Sequence, residues 1–157
     1  MYDAATFAPL FSRTYRVIHM QTEGLTHADS VLQPPFRGNC LNWVLGHIIV
    51  GRNQILDRLA SSSLGWDKED LARYERRSEP ITQAEQALPL ERLLSTLDRS
   101  QELLLASFEA ATPVTWETPV DDESLADWVA FLHWHETYHV GQLELLRQLA
   151  GTNDKII

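Results

Sequence analysis

Phe131-Leu132-His133-Trp134-His135-Glu136-Thr137-Tyr138-His139-Val140-Gly141-Gln142 holds three of the chain's six histidines within seven residues. His135 and His139 are four apart, so on a helix they stand one turn above each other on a single face. Their ring nitrogens can then converge on one metal ion, at the roughly 2.0–2.1 Å of an imidazole–metal bond. The apolar stripe around them runs Leu125, Trp128, Leu132, then positions 135 and 139, then Leu143 or Leu146, so both rings face a core. An unpaired polar group there costs about 1–3 kcal/mol. A hydrogen-bonded pair of core imidazoles and a metal site both avoid that cost, and spacing alone does not separate them. The same residues spell His-Glu-x-x-His, the zincin pattern in which the Glu is general base.

Outward from this stretch the chain reads as helices. Ser124, with Asp127 three residues on, caps a last helix from Leu125 to Ala150, and Gly151 stops it. Upstream, Pro89 opens a helix to about Ala110 whose inner stripe is Leu90, Leu93, Leu94, Leu97, Leu104 and Phe108. Between Ser61-Ser62-Ser63, which end the second helix, and Pro89 lies a long irregular connection carrying Trp66, Tyr74, Arg76 and Arg77. The second helix runs from Cys40 to about Leu59 with Asn39 as N-cap, after the stiff loop Gln33-Pro34-Pro35-Phe36-Arg37-Gly38. Its first half, Leu41 to Gly51, is apolar nearly all round, as in a helix covered on several sides by the bundle or by a second subunit. A first helix spans about Ala4 to Ala28. Four long helical patterns without strand alternation predict an all-α, up-and-down four-helix bundle, a single domain over residues 1–157.

His47 stands alone in that apolar second helix. Val44, His47, Gly51 and Ile55 share a face, and Gly51 is expected to admit a close neighbour. If the second and last helices are neighbours, His47, His135 and His139 meet, and the triad becomes the favoured metal site. Three neutral donors leave an open coordination position, the catalytic arrangement. A thiol or water there ionises more easily. Three imidazoles accept zinc, nickel, copper or iron. His133 lies about 160° round the helix from His135 and is expected at the surface or behind the ligands. Glu136 either reaches the metal site, as a catalytic candidate, or holds an imidazole or a neighbouring helix. Gln142 and Arg147 fit ligand-supporting or solvated positions equally; Trp43, Trp128 and Trp134 are expected to pack. His19 and His27 are ordinary polar positions.

The net charge of −9 argues against nucleic acid or an anionic membrane as partner. The single cysteine, Cys40, forms no internal disulfide and fits a reducing cytoplasm. No apolar run reaches the ~18 residues of a membrane span.

Leu41-Asn42-Trp43-Val44-Leu45-Gly46-His47-Ile48, with His135 through Leu143 and Leu146-Arg147-Gln148-Leu149-Ala150-Gly151, resembles the DinB superfamily across the chain. The resemblance implies a four-helix bundle, often dimeric. It also implies a three-histidine site for a divalent metal (zinc, nickel or iron), with His47, His135 and His139 as ligands. Members include thiol-dependent S-transferases, so the expected activity is metal-assisted attack of a low-molecular-weight thiol on a small electrophile. Arg76 or Arg77 would bind an acidic substrate or thiol cofactor. The rival readings are a non-catalytic bundle whose metal is structural, and a metal-free interaction module. A His-Glu-x-x-His peptidase is disfavoured, because Gln142 and Leu145 stand where the metzincin extension needs Gly and His.

Overall fold

Asp3 accepts a hydrogen bond from the Thr6 amide and so caps α1 (Ala4–Thr22). The computed structural model describes residues 3–59 and 64–152; the expected helix stop at Ser61-Ser62-Ser63 lies outside them. The first helix is shorter than its apolar pattern, because Gly24 takes a left-handed φ of 75°. A separate turn, α2 (His27–Ser30), restarts from a Thr26/Asp29 capping box. The second long helix, α3 (Leu41–Arg58), is preceded by Cys40 in the extended cap conformation; Asn39, the expected N-cap, lies one residue outside. The connection that follows holds α4 (Lys68–Tyr74), capped by Asp67, and a single turn at Ala84–Gln86. Then come α5 (Leu90–Ala110), α6 (Pro113–Trp116), the two-residue pairing of β1 (Pro119–Val120) with β2 (Glu123–Ser124), and α7 (Leu125–Leu149). That hairpin, turned by Asp121 at φ 52°, has no counterpart in the sequence reading. Ser124 caps α7 through the Asp127 amide, as expected.

The protein is the expected all-α four-helix bundle, with α1 and α3 each packed against both α5 and α7. Contacts give the helix directions. Phe7 meets Phe108 and Tyr15 meets Asp98, so α1 and α5 are antiparallel. Phe11 meets His133 and Gln21 meets Glu144, so α1 and α7 are parallel. Asn42 reaches the Leu88 carbonyl and Arg52 reaches Gln101, so α3 and α5 are parallel. The chain order is therefore up, down, down, up. The bundle is all-α as expected, but its two middle helices are parallel where the expected up-and-down order would alternate. A chain leaving α3 must travel back along a helix of roughly 27 Å, at 1.5 Å per residue, before α5 can start. That return explains the long connection.

The connection also covers α3. Trp66, Tyr74, Ile81 and Leu88 pack on its outer side, and every residue from Leu41 to Val50 is buried. The apolar second helix is thus enclosed by its own chain. The close approach expected at Gly51 falls instead at Gly46, where an added Cβ would lie 2.2 Å from Cδ1 of Tyr74; at Gly51 it would meet nothing within 4 Å. At the far end Phe7, Phe108 and Trp116 form a tilted aromatic cluster at 5.2–5.8 Å centroid separation. Arg147 donates to the Gln21 and Glu23 carbonyls and closes the C-terminal end of α1.

The two glycines should respond in opposite directions. Gly46→Ala overpacks Tyr74 and is expected to lower unfolding free energy by about 1–3 kcal/mol in urea titration. Gly51→Ala should raise it by up to about 1 kcal/mol through helix propensity. Equal effects would contradict this packing.

Candidate metal centre

His47 owes its orientation to the connection. Its Nδ1–H donates to the Tyr74 carbonyl at 2.7 Å. Tyr74 is itself pinned: its ring lies on Gly46, its hydroxyl donates to Asn42 Oδ1 at 2.9 Å and accepts from the Leu88 amide at 2.8 Å. Trp43, one turn before His47, stacks on the imidazole with centroids 4.7 Å apart and donates to Ser78 Oγ. On α7, the Nδ1–H of His139 donates to Gln142 Oε1 at 2.7 Å. Both tethers place the proton on Nδ1 and leave Nε2 as a lone-pair donor.

The remaining nitrogens converge. His135 Nε2 and His139 Nε2 are 3.1 Å apart, and one ligand atom from each of His47, His135 and His139 falls within 4.8 Å of the others. Bonds of roughly 2.0–2.1 Å in a tetrahedral site put neighbouring donors about 3.3 Å apart, so the His135–His139 pair already stands near that spacing. Burial lowers the pKa of all three imidazoles, to about 4 for His139; His47 also disfavours charge on His135 and His139, and His135 disfavours it on His139. Neutral rings are the ligand-competent form. The donor set fits a divalent metal of the borderline class.

A cavity of about 630 Å³ opens onto the rings, walled by Trp43, Tyr138, Leu145 and Leu146. A second, of about 430 Å³, meets it at His47, His135 and Arg76, and is lined also by Gly51 and Phe131. Arg76 therefore sits at the centre. Arg77, with φ 74°, lines neither cavity.

Glu136, the catalytic candidate, is turned the other way. It is 4% exposed and forks onto Arg52, with Oε2 accepting from Nε at 2.9 Å and Oε1 from Nη2 at 2.7 Å; Thr14 also donates to Oε1. Arg52 spends its third nitrogen on Ser100 and Gln101 of α5. Glu136 thus holds neighbouring helices, the other role foreseen for it, and is absent from the residues that line either cavity. His133 is half-buried, and its ring packs edge-on against Phe11 of α1. His19 pairs with Asp98, and His27 approaches the Ala84 carbonyl. Trp128 packs under Arg58, whereas Trp134, expected to pack, is 62% exposed. Arg52 and Tyr74 escaped the sequence reading as site-building residues. Arg52 had a signal, being the first charge of its helix and set directly after the apolar half that holds His47; the Tyr74 carbonyl had none, since any residue supplies one.

A family model described as the DinB superfamily matches residues 10–143. No curated protein matches the chain.

In the absence of metal, the unfolded chain takes up imidazole protons as pH falls through 6.5, whereas folded His139 does so only near about 4. Stability from these groups is therefore full above pH 6.5 and is lost as pH drops from there towards 4. Urea unfolding in chelator should show that slope, and His139→Gln should reduce it. An unchanged slope would remove His139 as its source.

Proposed function

The chain belongs to the DinB superfamily, and on that premise we propose that it is a divalent-metal protein whose ion is held by His47, His135 and His139. The same site would promote attack of a low-molecular-weight thiol on a small electrophile. The observation that carries this is tautomer control: fixed carbonyl oxygens of Tyr74 and Gln142 occupy Nδ1 of two rings, and the outer nitrogens gather at one point beside a cavity. A bound zinc, nickel or iron ion supplies Lewis-acid chemistry and lowers the pKa of a thiol presented to it. The protein's own residues do the rest. Trp43 and Tyr74 hold His47, Gln142 holds His139, and the apolar walls from Trp43, Tyr138 and Leu146 limit water around a reacting pair.

A purely structural ion is disfavoured, because structural sites close with four protein ligands and only three donors gather among the described residues, facing a cavity. A peptidase is disfavoured because the carboxylate that would take the proton is neutralised by Arg52. The unpaired, buried Cys40 supports a reducing, cytoplasmic setting for what we take to be one domain over residues 1–157. Among the described residues no helix is long and apolar enough to cross a membrane.

We also propose a homodimer. Phe131, Trp134, Tyr138, Leu145 and Leu149 are exposed along one face of α7, with Gly141 open at its middle. From Phe131 to Leu149 no exposed residue of α7 is charged, which is how an interface core differs from ordinary surface.

Protein purified without a nickel column should contain about one equivalent of metal per chain, and His47→Ala should lose it as severely as His139→Ala. Less than about a tenth of an equivalent in the unsubstituted protein, or retention by His47→Ala, would falsify the triad. Trp134→Glu should halve the mass seen by sedimentation velocity without changing metal content; a monomer before substitution ends the dimer proposal.

A further inference from the structure

The chain has 22 acidic and 13 basic residues, yet among the described residues no carboxylate lines the two cavities that meet at the imidazoles. Apart from the imidazoles and the Tyr138 phenol, their ionisable side chains are Arg37 and Arg76. Neither guanidinium has a hydrogen bond or ion pair to a described residue, whereas Arg52, Arg73, Arg92 and Arg99 all pair with carboxylates. Arg76 borders both cavities beside His47 and His135, and its charge is felt at both rings. An acidic protein has thus kept one concave surface free of negative charge and left two cations in it unspent. Such a pocket concentrates anions, and a guanidinium fork matches a carboxylate in geometry as well as charge. The indole of Trp43 and the ring of Tyr138 provide apolar wall in the same cavity as the cations and the imidazoles.

We infer that this cavity takes a small, planar carboxylate, its anionic end on Arg76 and Arg37, its apolar body along Trp43 and Tyr138, and its other end at the three imidazoles. What happens at that other end rests on the function proposed above; recognition of the anion does not. The carboxylate belongs either to the electrophile or to the thiol, since both must reach the same rings.

Tryptophan fluorescence titration with phenylacetate and its neutral isostere phenylacetamide tests this, on protein as purified and again after chelation. Phenylacetate should bind about tenfold tighter, the value of a charge-assisted contact at a partly solvated site. The preference should shrink as salt is raised. Arg76→Ala should abolish most of it, Arg76→Lys should keep part, and Arg77→Ala should change nothing. Equal affinity for the two compounds, no saturable change with either, or an intact preference in the Arg37→Ala/Arg76→Ala double variant overturns the inference. Two thiols then separate the sources in metal-loaded protein. Binding of 3-mercaptopropionate in competition with phenylacetate, with no binding of 2-mercaptoethanol at all, assigns the carboxylate to the thiol; saturable binding of 2-mercaptoethanol alongside phenylacetate assigns it to the electrophile. Protein that takes up no metal yet prefers the carboxylate would overturn the metal reading and leave this one standing.

Discussion

Arg52 and Glu136 form an ion pair in the centre of the bundle, 1% and 4% exposed, and the rest of the structure is arranged to make that burial tolerable. Removing two charges from water costs several kcal/mol per ion, recovered only if the geometry is good and the leftover donors and acceptors are satisfied. Here they are: Arg52 comes from α3, Glu136 from α7, Thr14 from α1, and Ser100 and Gln101 from α5. All four long helices therefore meet at one polar node. A pair of this kind contributes less to net stability than to placement, because few rotations of α7 against α3 satisfy both ions. Once Glu136 faces the bundle axis, His135 and His139 lie about 100° and 60° round the helix from it, on one flank. The node turns the imidazoles towards α3.

The connection between α3 and α5 completes what the node begins. Because those helices are parallel, the chain must return along the bundle, and its path lies over the outer face of α3. Tyr74 meets Gly46 there, where no side chain stands in the way, and its carbonyl then fixes the His47 proton. Two residues further on, Arg76 arrives beside the rings. Topology, core packing and the orientation of a candidate ligand thus share one segment.

The His-Glu-x-x-His pattern acquires a different meaning in this setting. In a zincin the Glu is a base beside the metal; here the same residue is the bundle's internal counter-ion, and the two histidines look elsewhere. A motif specifies which side chains share a helix face, and the surrounding helices decide what each face touches.

Much was legible in the chain itself. The helical period of the apolar residues determines an all-α bundle, the four-residue spacing pairs His135 with His139, and a solitary His47 in an apolar helix marks the third corner. Local capping chemistry set the start of α7 at Ser124. Other features belong to the tertiary structure alone: Arg52 as the partner of Glu136, Gly46 instead of Gly51 as the contact point, Arg76 and not Arg77 at the cavity, and Trp134 left exposed. Periodicity gives the direction of a side chain relative to its own helix axis. It carries no information on how that helix is rotated or offset against its neighbours, or on the path an irregular segment takes across them, and those are set only when distant parts of the chain pack together.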